Sequence, residues 1–411
     1  MSKIKIKNFG PIKEGFLGGD GFMDVKKVTV FIGNQGSGKS TVAKVISTLT
    51  WIEKALNRGD FTDKMSRNDF EQFFLYQNLK GYFKDNTVIE YHGSLYTIRF
   101  NPGENPHKQF PLIERIDTQS YTVPKIMYVP DGRSFLSIIK NATGVRGLPA
   151  PLFEFAEELK RGQTDTKGKE IPLPINGVNF KYESESDSSY IIGKDFKVNL
   201  LFASSGFQSL VPLFLVSSSL AHIIKSGSEI GPANISVDQS IRMNNEISAI
   251  MLGNKLSDIE KLKRVEIVKS KFQNKAFINI VEEPEQNLFP SSQQQLLNSL
   301  LEFNNMKDGN KLIITTHSPY LINYLTLAVE ANGLKDKIKS PDLESKLKDI
   351  VPLDSTIQPH ELVIYELDEQ DGSIQLLGNY KGLPSDENKL NNALGEGNES
   401  FAKLLEIDQK L

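Results

Sequence analysis

The sequence predicts an α/β fold: a largely parallel sheet covered by helices, with an antiparallel β subdomain and an inserted helical lid. Three observations predict it. Short apolar runs at 28–32, 277–281 and 312–316 read as buried strands, each closing on glycine or polar residues. The first of these passes through a glycine loop into a stretch with helical spacing. Shorter runs at 87–91 and 95–100, and again within 180–201, have the spacing of hairpins.

The glycine loop is Gly33, Asn34, Gln35, Gly36, Ser37, Gly38, Lys39, Ser40, followed by Thr41. It meets G-x-x-x-x-G-K-[ST] at every fixed position, with a strand before it and a helix after it. Glycines let backbone N–H groups turn inward around phosphates, and the helix N-terminus adds its positive end. Lys39 is then expected to reach the β- and γ-phosphates of a nucleoside triphosphate, and the Ser40 hydroxyl to hold Mg²⁺.

At 411 residues the chain has room for two domains, or for one large α/β domain with insertions. A net charge of −3 offers no general attraction for nucleic acid, so any DNA contact requires a local patch. There is no cysteine, which excludes disulfides, thiol catalysis and cysteine-held metals and suits a reducing, cytoplasmic setting. The lysine–isoleucine alternation of the first seven residues is that of a strand and not of a signal peptide. The apolar stretch Leu210 to Ile224 is broken by Pro212 and several serines and reads as too short and too polar to span a bilayer.

Along the chain, the opening strand is followed by Asn8-Phe9-Gly10-Pro11-Ile12 and a glycine-rich turn. Residues 51–84 read as polar helix with an aromatic cluster, expected to be packing. Lys125–Val129 reads as a strand ending in Pro130-Asp131-Gly132-Arg133; Arg133 either faces phosphate or is a solvated loop residue. A proline- and glycine-rich excursion (145–176) surrounds a short helix. Ser204, Ser205, Gly206, Phe207 and Gln208 then open an apolar helix. Their N–H groups and hydroxyls suit an anion, and in a chain that already has a phosphate loop, an anion on another subunit; the other reading is an ordinary serine N-cap. Residues 226–270 read as a helical insert, with no sustained heptad pattern.

Carboxylates close the strand at 277–281. Glu282 is expected to help hold Mg²⁺, and Glu283 to take a proton from an attacking water as general base. His317 closes the strand at 312–316. It either donates to a γ-phosphate or fixes the water, or simply caps the strand.

Together these elements resemble the ABC-type ATPases of the SMC-like and OLD-like branch. Gly33–Ser40 matches the Walker A loop, 277–283 Walker B, Glu285–Leu288 the D-loop and Thr315–Pro319 the switch-histidine segment. Ser205–Gln208 resembles the ABC signature with Phe207 replacing its second glycine. The Asn8–Ile12 and Tyr128–Arg133 segments are also similar to that branch, and Gln119 is a weak match to a Q-loop glutamine.

The resemblance implies an ABC-type P-loop ATPase domain over 1–330, built from 1–135 and 177–330, with inserts near 52–85, 136–176 and 226–270. Residues 331–411 are then a C-terminal α/β extension. It implies ATP and Mg²⁺ as ligands and dimers that sandwich ATP between the Walker A loop of one copy and the signature of the other (Ser204, Ser205, Gly206, Gln208). OLD nucleases add a Toprim domain with an Asp-x-Asp pair; no such pair occurs after position 330. Stand-alone OLD-like ATPases resemble anti-phage defence components. That implies a sensor and scaffold in a higher homo-oligomer, holding a separate nuclease or toxin effector and releasing it on a phage-encoded trigger, with DNA not required and no membrane. An SMC- or RecF-like DNA-repair ATPase is the alternative, and a transporter ATPase subunit a more remote one.

Overall fold

The computed structural model describes residues 2–104, 110–116, 121–139, 142–227, 237–253 and 257–409. Strand β1 (Ser2–Lys7) buries Ile4 and Ile6 and turns its lysines outward. After β2 (Gly15–Phe16) and β3 (Met23–Val25) comes β4 (Val28–Gly33), buried at every position, as a central strand must be. Helix α1 (Lys39–Arg58) follows the glycine loop and stops at Gly59. That glycine is left-handed, and its N–H reaches the Ala55 and Leu56 carbonyls. The helix therefore runs through position 52 unbroken, and the insert expected to start there does not. Helix α2 (Arg67–Leu75) starts with a Ser66–Asp69 capping box.

Strands β5 (Val88–His92), β6 (Tyr96–Phe100) and β7 (Leu112–Arg115) complete an antiparallel sheet of order β3-β1-β5-β6-β7. Strand β8 (Pro124–Val129) leads into a tight 3₁₀ segment, Asp131–Ser137. Helix α3 (Ala150–Asp165) buries Phe155, Ala156 and Leu159, so the excursion expected there contributes to the core. Strands β9 (Ile171–Pro172), β10 (Asn179–Glu183), β11 (Ser188–Ile192) and β12 (Lys197–Asn199) form a separate antiparallel sheet.

Helix α4 (Ser205–Ser226) is 22 residues long, longer than its sequence suggested, and is long and apolar enough to cross a bilayer by length and composition only. Two thirds of its most apolar stretch is buried within the fold. The insert expected from 226 begins where α4 ends; its described parts are the paired helices α5 (Val237–Leu252) and α6 (Asp258–Phe272). Then come β13 (Ala276–Glu282), α7 (Pro290–Asn305), β14 (Lys311–Thr316), α8 (Pro319–Lys335) and α9 (Pro341–Ile350). The chain closes with β15 (Leu362–Leu367), β16 (Ser373–Leu376), the short pair β17 (Asn379–Tyr380) and β18 (Leu383–Pro384), and α10 (Lys389–Asp408).

The central sheet has seven strands in the order β2-β16-β15-β4-β14-β13-β8. Its five middle-to-edge strands β15, β4, β14, β13 and β8 run parallel, in a register that pairs Gly33 with Leu367, Ile32 with Thr316, and Thr315 with Glu282. The division expected at residue 330 is therefore absent from the sheet. β15, some 330 residues after β4 in sequence, is its direct neighbour. Alternation splits the core in two. Val28, Val30 and Ile32 face α3, α4, α7 and α8, while Phe31 faces α1 and the antiparallel sheet. Both faces being covered leaves the carboxyl ends of the parallel strands as the place where polar loops gather, which is where open α/β sheets bind ligands.

Candidate functional site

The carboxyl end of β4 is the glycine loop. Gly33, Gly36 and Gly38 have φ of 146°, 77° and 100°. At two of them space also demands glycine: a Cβ on Gly33 would lie 2.5 Å from the Leu367 carbonyl oxygen, and one on Gly38 2.5 Å from Ile12 Cδ1. The Asn8–Ile12 segment and the end of β15 are thus the loop's two walls. Asn34 donates to Glu369, just past β15, at 3.2 Å. Ser37 Oγ is buried in the loop with no hydrogen-bond partner among the described residues, and Ser40 and Thr41 open the first turn of α1.

Lys39 is 5% exposed. Its ammonium donates to the Gly33 and Asn34 carbonyls, both at 2.8 Å, and lies 3.4 Å from His317 Nδ1. Burial draws its pKa down to about 8, against the opposing pull of Glu283, Glu285 and Glu369.

Neighbouring strands deliver the rest. Glu283 follows β13 directly and adopts φ 42°, a left-handed conformation that costs a non-glycine residue energy and turns its side chain out of the strand direction. Its Oε1 lies 3.0 Å from His317 Nε2. The hydrogen bond to His317 holds its carboxyl below the usual range, aided by the charges of His317, Lys39 and Arg133 and against burial. Lys39, His317 and Glu283 therefore form one contiguous row, brought together from the ends of β4, β14 and β13. Glu282, 3% exposed, accepts a 3.3 Å bond from the Asp131 N–H, and among the described residues no ion pair ties up its carboxylate.

Glu285 carries a part that sequence reasoning missed. Its Oε1 accepts from the Thr316 hydroxyl and the His317 N–H, each at 2.7 Å, while Oε2 is buried without a partner among the described residues. Burial pushes its carboxyl up. The carboxylate fixes the backbone from which the His317 ring projects. The signal was present in Glu282-Glu283-Pro284-Glu285, where the third acid recurs just beyond the proline.

Arg133 is in neither of its expected places. It is fully buried, and it donates to four carbonyls: Glu282 and Glu283 at 2.6 Å, Pro130 and Ser209 at 3.2 Å. Its guanidinium fork suits several carbonyls at once, so it clamps the ends of β8 and β13 to the first turns of α4. Burial lowers its pKa to about 10, leaving it charged at neutral pH. Gln119 lies outside the described residues.

The Ser204–Gln208 stretch stands differently. Ser204 sits at the N-cap of α4 without a side-chain capping bond, and both Ser204 and Ser205 are exposed. A Cβ on Gly206 would come within 2.9 Å of the Asn287 carbonyl oxygen, so the helix start packs closely on the segment after β13. Gln208 turns inward and donates to the Leu200 and Leu201 carbonyls, which removes its side chain from the surface the serines present.

The donor set fits Mg²⁺. No group of three or more His, Asp or Glu side chains that could cage a metal occurs among the described residues. One hydroxyl and one or two carboxylates beside a triphosphate are what Mg²⁺ ordinarily takes from a protein.

Residues 152–322 match the model of an AAA ATPase domain family, AAA_15. The matched segment includes Ser204–Gln208, Glu282–Glu285 and His317, while the glycine loop lies upstream of it. Among solved structures the chain is similar to the SMC head domain from Thermotoga maritima, at 11% identity over 92% of this chain and 98% of that one, TM-score 0.37. It is also similar to an SMC head bound to the C-winged helix domain of ScpA (11%, 92% and 97%, TM-score 0.39) and to the dimeric ATP-binding cassette MJ0796 bound to ADP and Pi (13%, 92% and 100%, TM-score 0.27). Such distant likeness says nothing of function. No curated protein matches the sequence. The α/β architecture expected from the sequence, a largely parallel sheet covered by helices with an antiparallel β subdomain and inserted helices, is the architecture observed.

Proposed function

We propose that this chain is an ATP-binding and ATP-hydrolysing switch whose active site is completed by a second copy of itself. The observation that carries it is the row Lys39–His317–Glu283, set by three parallel strand ends around a phosphate-type loop. In this reading Gly33–Thr41 cradle the triphosphate and Lys39 turns from the loop carbonyls to the β- and γ-phosphates. Ser40 and Glu282 would hold Mg²⁺, which neutralises charge on the phosphates when bound. Glu283 takes a proton from the water whose oxygen bonds to the γ-phosphorus, as the bond to the β–γ bridging oxygen breaks and ADP leaves. His317 orients that water or donates to the γ-phosphate. Ser204 and Ser205, exposed at a helix start, meet the nucleotide of the partner copy, with Gly206 allowing the close approach.

ATP shared across such an interface shifts assembly only by its differential affinity for the closed state. The biological reading rests on the resemblance to stand-alone OLD-like ATPases, the AriA ATPase of the PARIS anti-phage system among them. In it, the chain is the sensor and scaffold of a defence system in the cytoplasm, forming ATP-dependent dimers and a higher homo-oligomer. It holds a separate Toprim-type nuclease or toxin, AriB-like, and releases it on a phage-encoded trigger. It has no nuclease site of its own.

Affinity purification from the native host, with neighbouring genes intact, tests this reading. A large ATP-dependent assembly carrying a nuclease supports it. A dimer that brings down DNA, with hydrolysis stimulated by DNA and no effector, overturns the biological reading in favour of an SMC- or RecF-like repair ATPase.

A further inference from the structure

A cavity of about 330 Å³ lies among α1, α2, β8 and α3, away from the row of strand ends. Its walls include four aromatic rings: Trp51 from α1, Phe73 from α2, Tyr76 just beyond it, and Tyr128 from β8. The Trp51 and Phe73 centroids are 5.4 Å apart. Trp51 and Tyr76 are about two-fifths exposed and form the mouth together with Glu154, to which the Tyr76 hydroxyl donates. Glu154 is the one charged residue among those lining it. Gln77, 3% exposed, contributes to the same wall a carbonyl oxygen that accepts no hydrogen bond among the described residues.

The one charged side chain of this wall and its exposed ring faces carry the same sign. Aromatic faces present the negative part of their quadrupole, the carboxylate is negative, and the unpartnered amide oxygen is the negative end of its dipole. An anion or a phosphate-bearing molecule would meet the Glu154 carboxylate and, among the described residues lining the cavity, no cation to offset it. An organic cation with an apolar body would find its charge matched by Glu154 and the rings, and its body covered by them.

We propose that this cavity binds a small organic cation with a planar or alkyl apolar body, at a site separate from the nucleotide site. Trp51 sits 12 residues beyond Lys39 on the same helix, about 18 Å along its axis. Occupancy therefore rests against the helix that carries the phosphate loop without touching the loop. The proposal stands on the cavity alone and does not depend on the chain's ATPase cycle.

The chain supplies its own reporter, since Trp51 is its only tryptophan. Benzamidine, benzamide and benzoate are similar in size and differ in charge. Titrated into the intact chain, benzamidine should change Trp51 emission saturably, benzamide more weakly, and benzoate not at all. Glu154 is exposed, so Glu154→Gln leaves the fold and the reporter in place. It should weaken benzamidine by about threefold to tenfold and leave benzamide unchanged. A response that is absent, that is equal for the three probes, or that is the same in Glu154→Gln would overturn the proposal.

Discussion

The phosphate loop and the Ser204–Gln208 stretch are both glycine-bearing entries into long helices, yet the chain surrounds them in opposite ways. Around the loop, its own strands supply everything within reach. Leu367 and Ile12 close on its glycines, Lys39 is buried against the Gly33 and Asn34 carbonyls, and His317 and Glu283 complete the row. At the second entry, Ser204 and Ser205 are exposed, no side chain caps the helix, and only the underside of Gly206 is packed, on Asn287. The difference teaches that one half of the proposed site is complete within a chain and the other half is finished on one side only. Arg133 is bonded to both regions, through Glu282 and Glu283 on one hand and Ser209 on the other.

Removing that clamp should have the largest effect on the comparison. Arg133→Met leaves four carbonyls without their donor in the core, and we expect a loss of about 3–5 kcal/mol in unfolding free energy, measured in denaturant. Arg133→Lys keeps the charge and loses the fork, so it should recover only a minor part. A variant within about 1 kcal/mol of wild type would mean that the two regions are held in place independently.

Within the complete half, Glu283→Gln should slow single-turnover hydrolysis by about 10²–10³ while ATP binding is retained. Hydrolysis at the wild-type rate would remove Glu283 as base. His317→Ala sharpens the assignment. Without its main hydrogen bond the Glu283 carboxyl should rise toward the usual range, so the acid limb of the pH–rate profile moves to higher pH.

What the sequence revealed follows from how local each feature is. Gly33–Ser40 and Glu282–Glu283 are legible because a few contiguous residues fix their geometry, and the flanking apolar runs fix their place at strand ends. Residues 331–411 were legible as an α/β extension, but not as the source of β15, the neighbour of β4. Pairing across some 330 residues leaves no mark on the strand's own pattern, and only the register of Gly33 with Leu367 shows it. Arg133 was misplaced for a related reason. Residue type argues for solvent or phosphate, and only tertiary structure shows four carbonyls turned toward one point. Gln208 was placed at the exposed entry by its position, whereas the Leu200 and Leu201 carbonyls hold it inside.

Whether the second half is finished by another copy can be tested by mixing. Ser205→Arg places a bulky cation on the exposed entry and should reduce turnover about 100-fold without altering ATP binding by the isolated chain. Lys39→Ala should weaken ATP binding and ATP-driven assembly. If sites form across two copies, mixing these two inactive proteins restores activity, because one of the two sites in each mixed dimer has an intact loop facing an intact serine pair. No recovery on mixing would mean that each chain completes its own site.

The smallest expected effect concerns protonation of Lys39. With its pKa near 8 in the free chain, the ammonium loses its proton between pH 7 and 9, and triphosphate favours the protonated form. ATP affinity should therefore fall by roughly tenfold over that interval, and Lys39→Arg should flatten the dependence. Stability should move the other way. Between about 8 and 10.5 the unfolded chain binds the proton that the folded chain has given up, so Lys39 makes the unfolding free energy rise with pH there. Affinity that falls while this contribution, taken as wild type minus Lys39→Met, rises identifies one buried ammonium as the source of both. If affinity and this difference decline together, alkaline loosening of the fold accounts for the loss and Lys39 is not the titrating group.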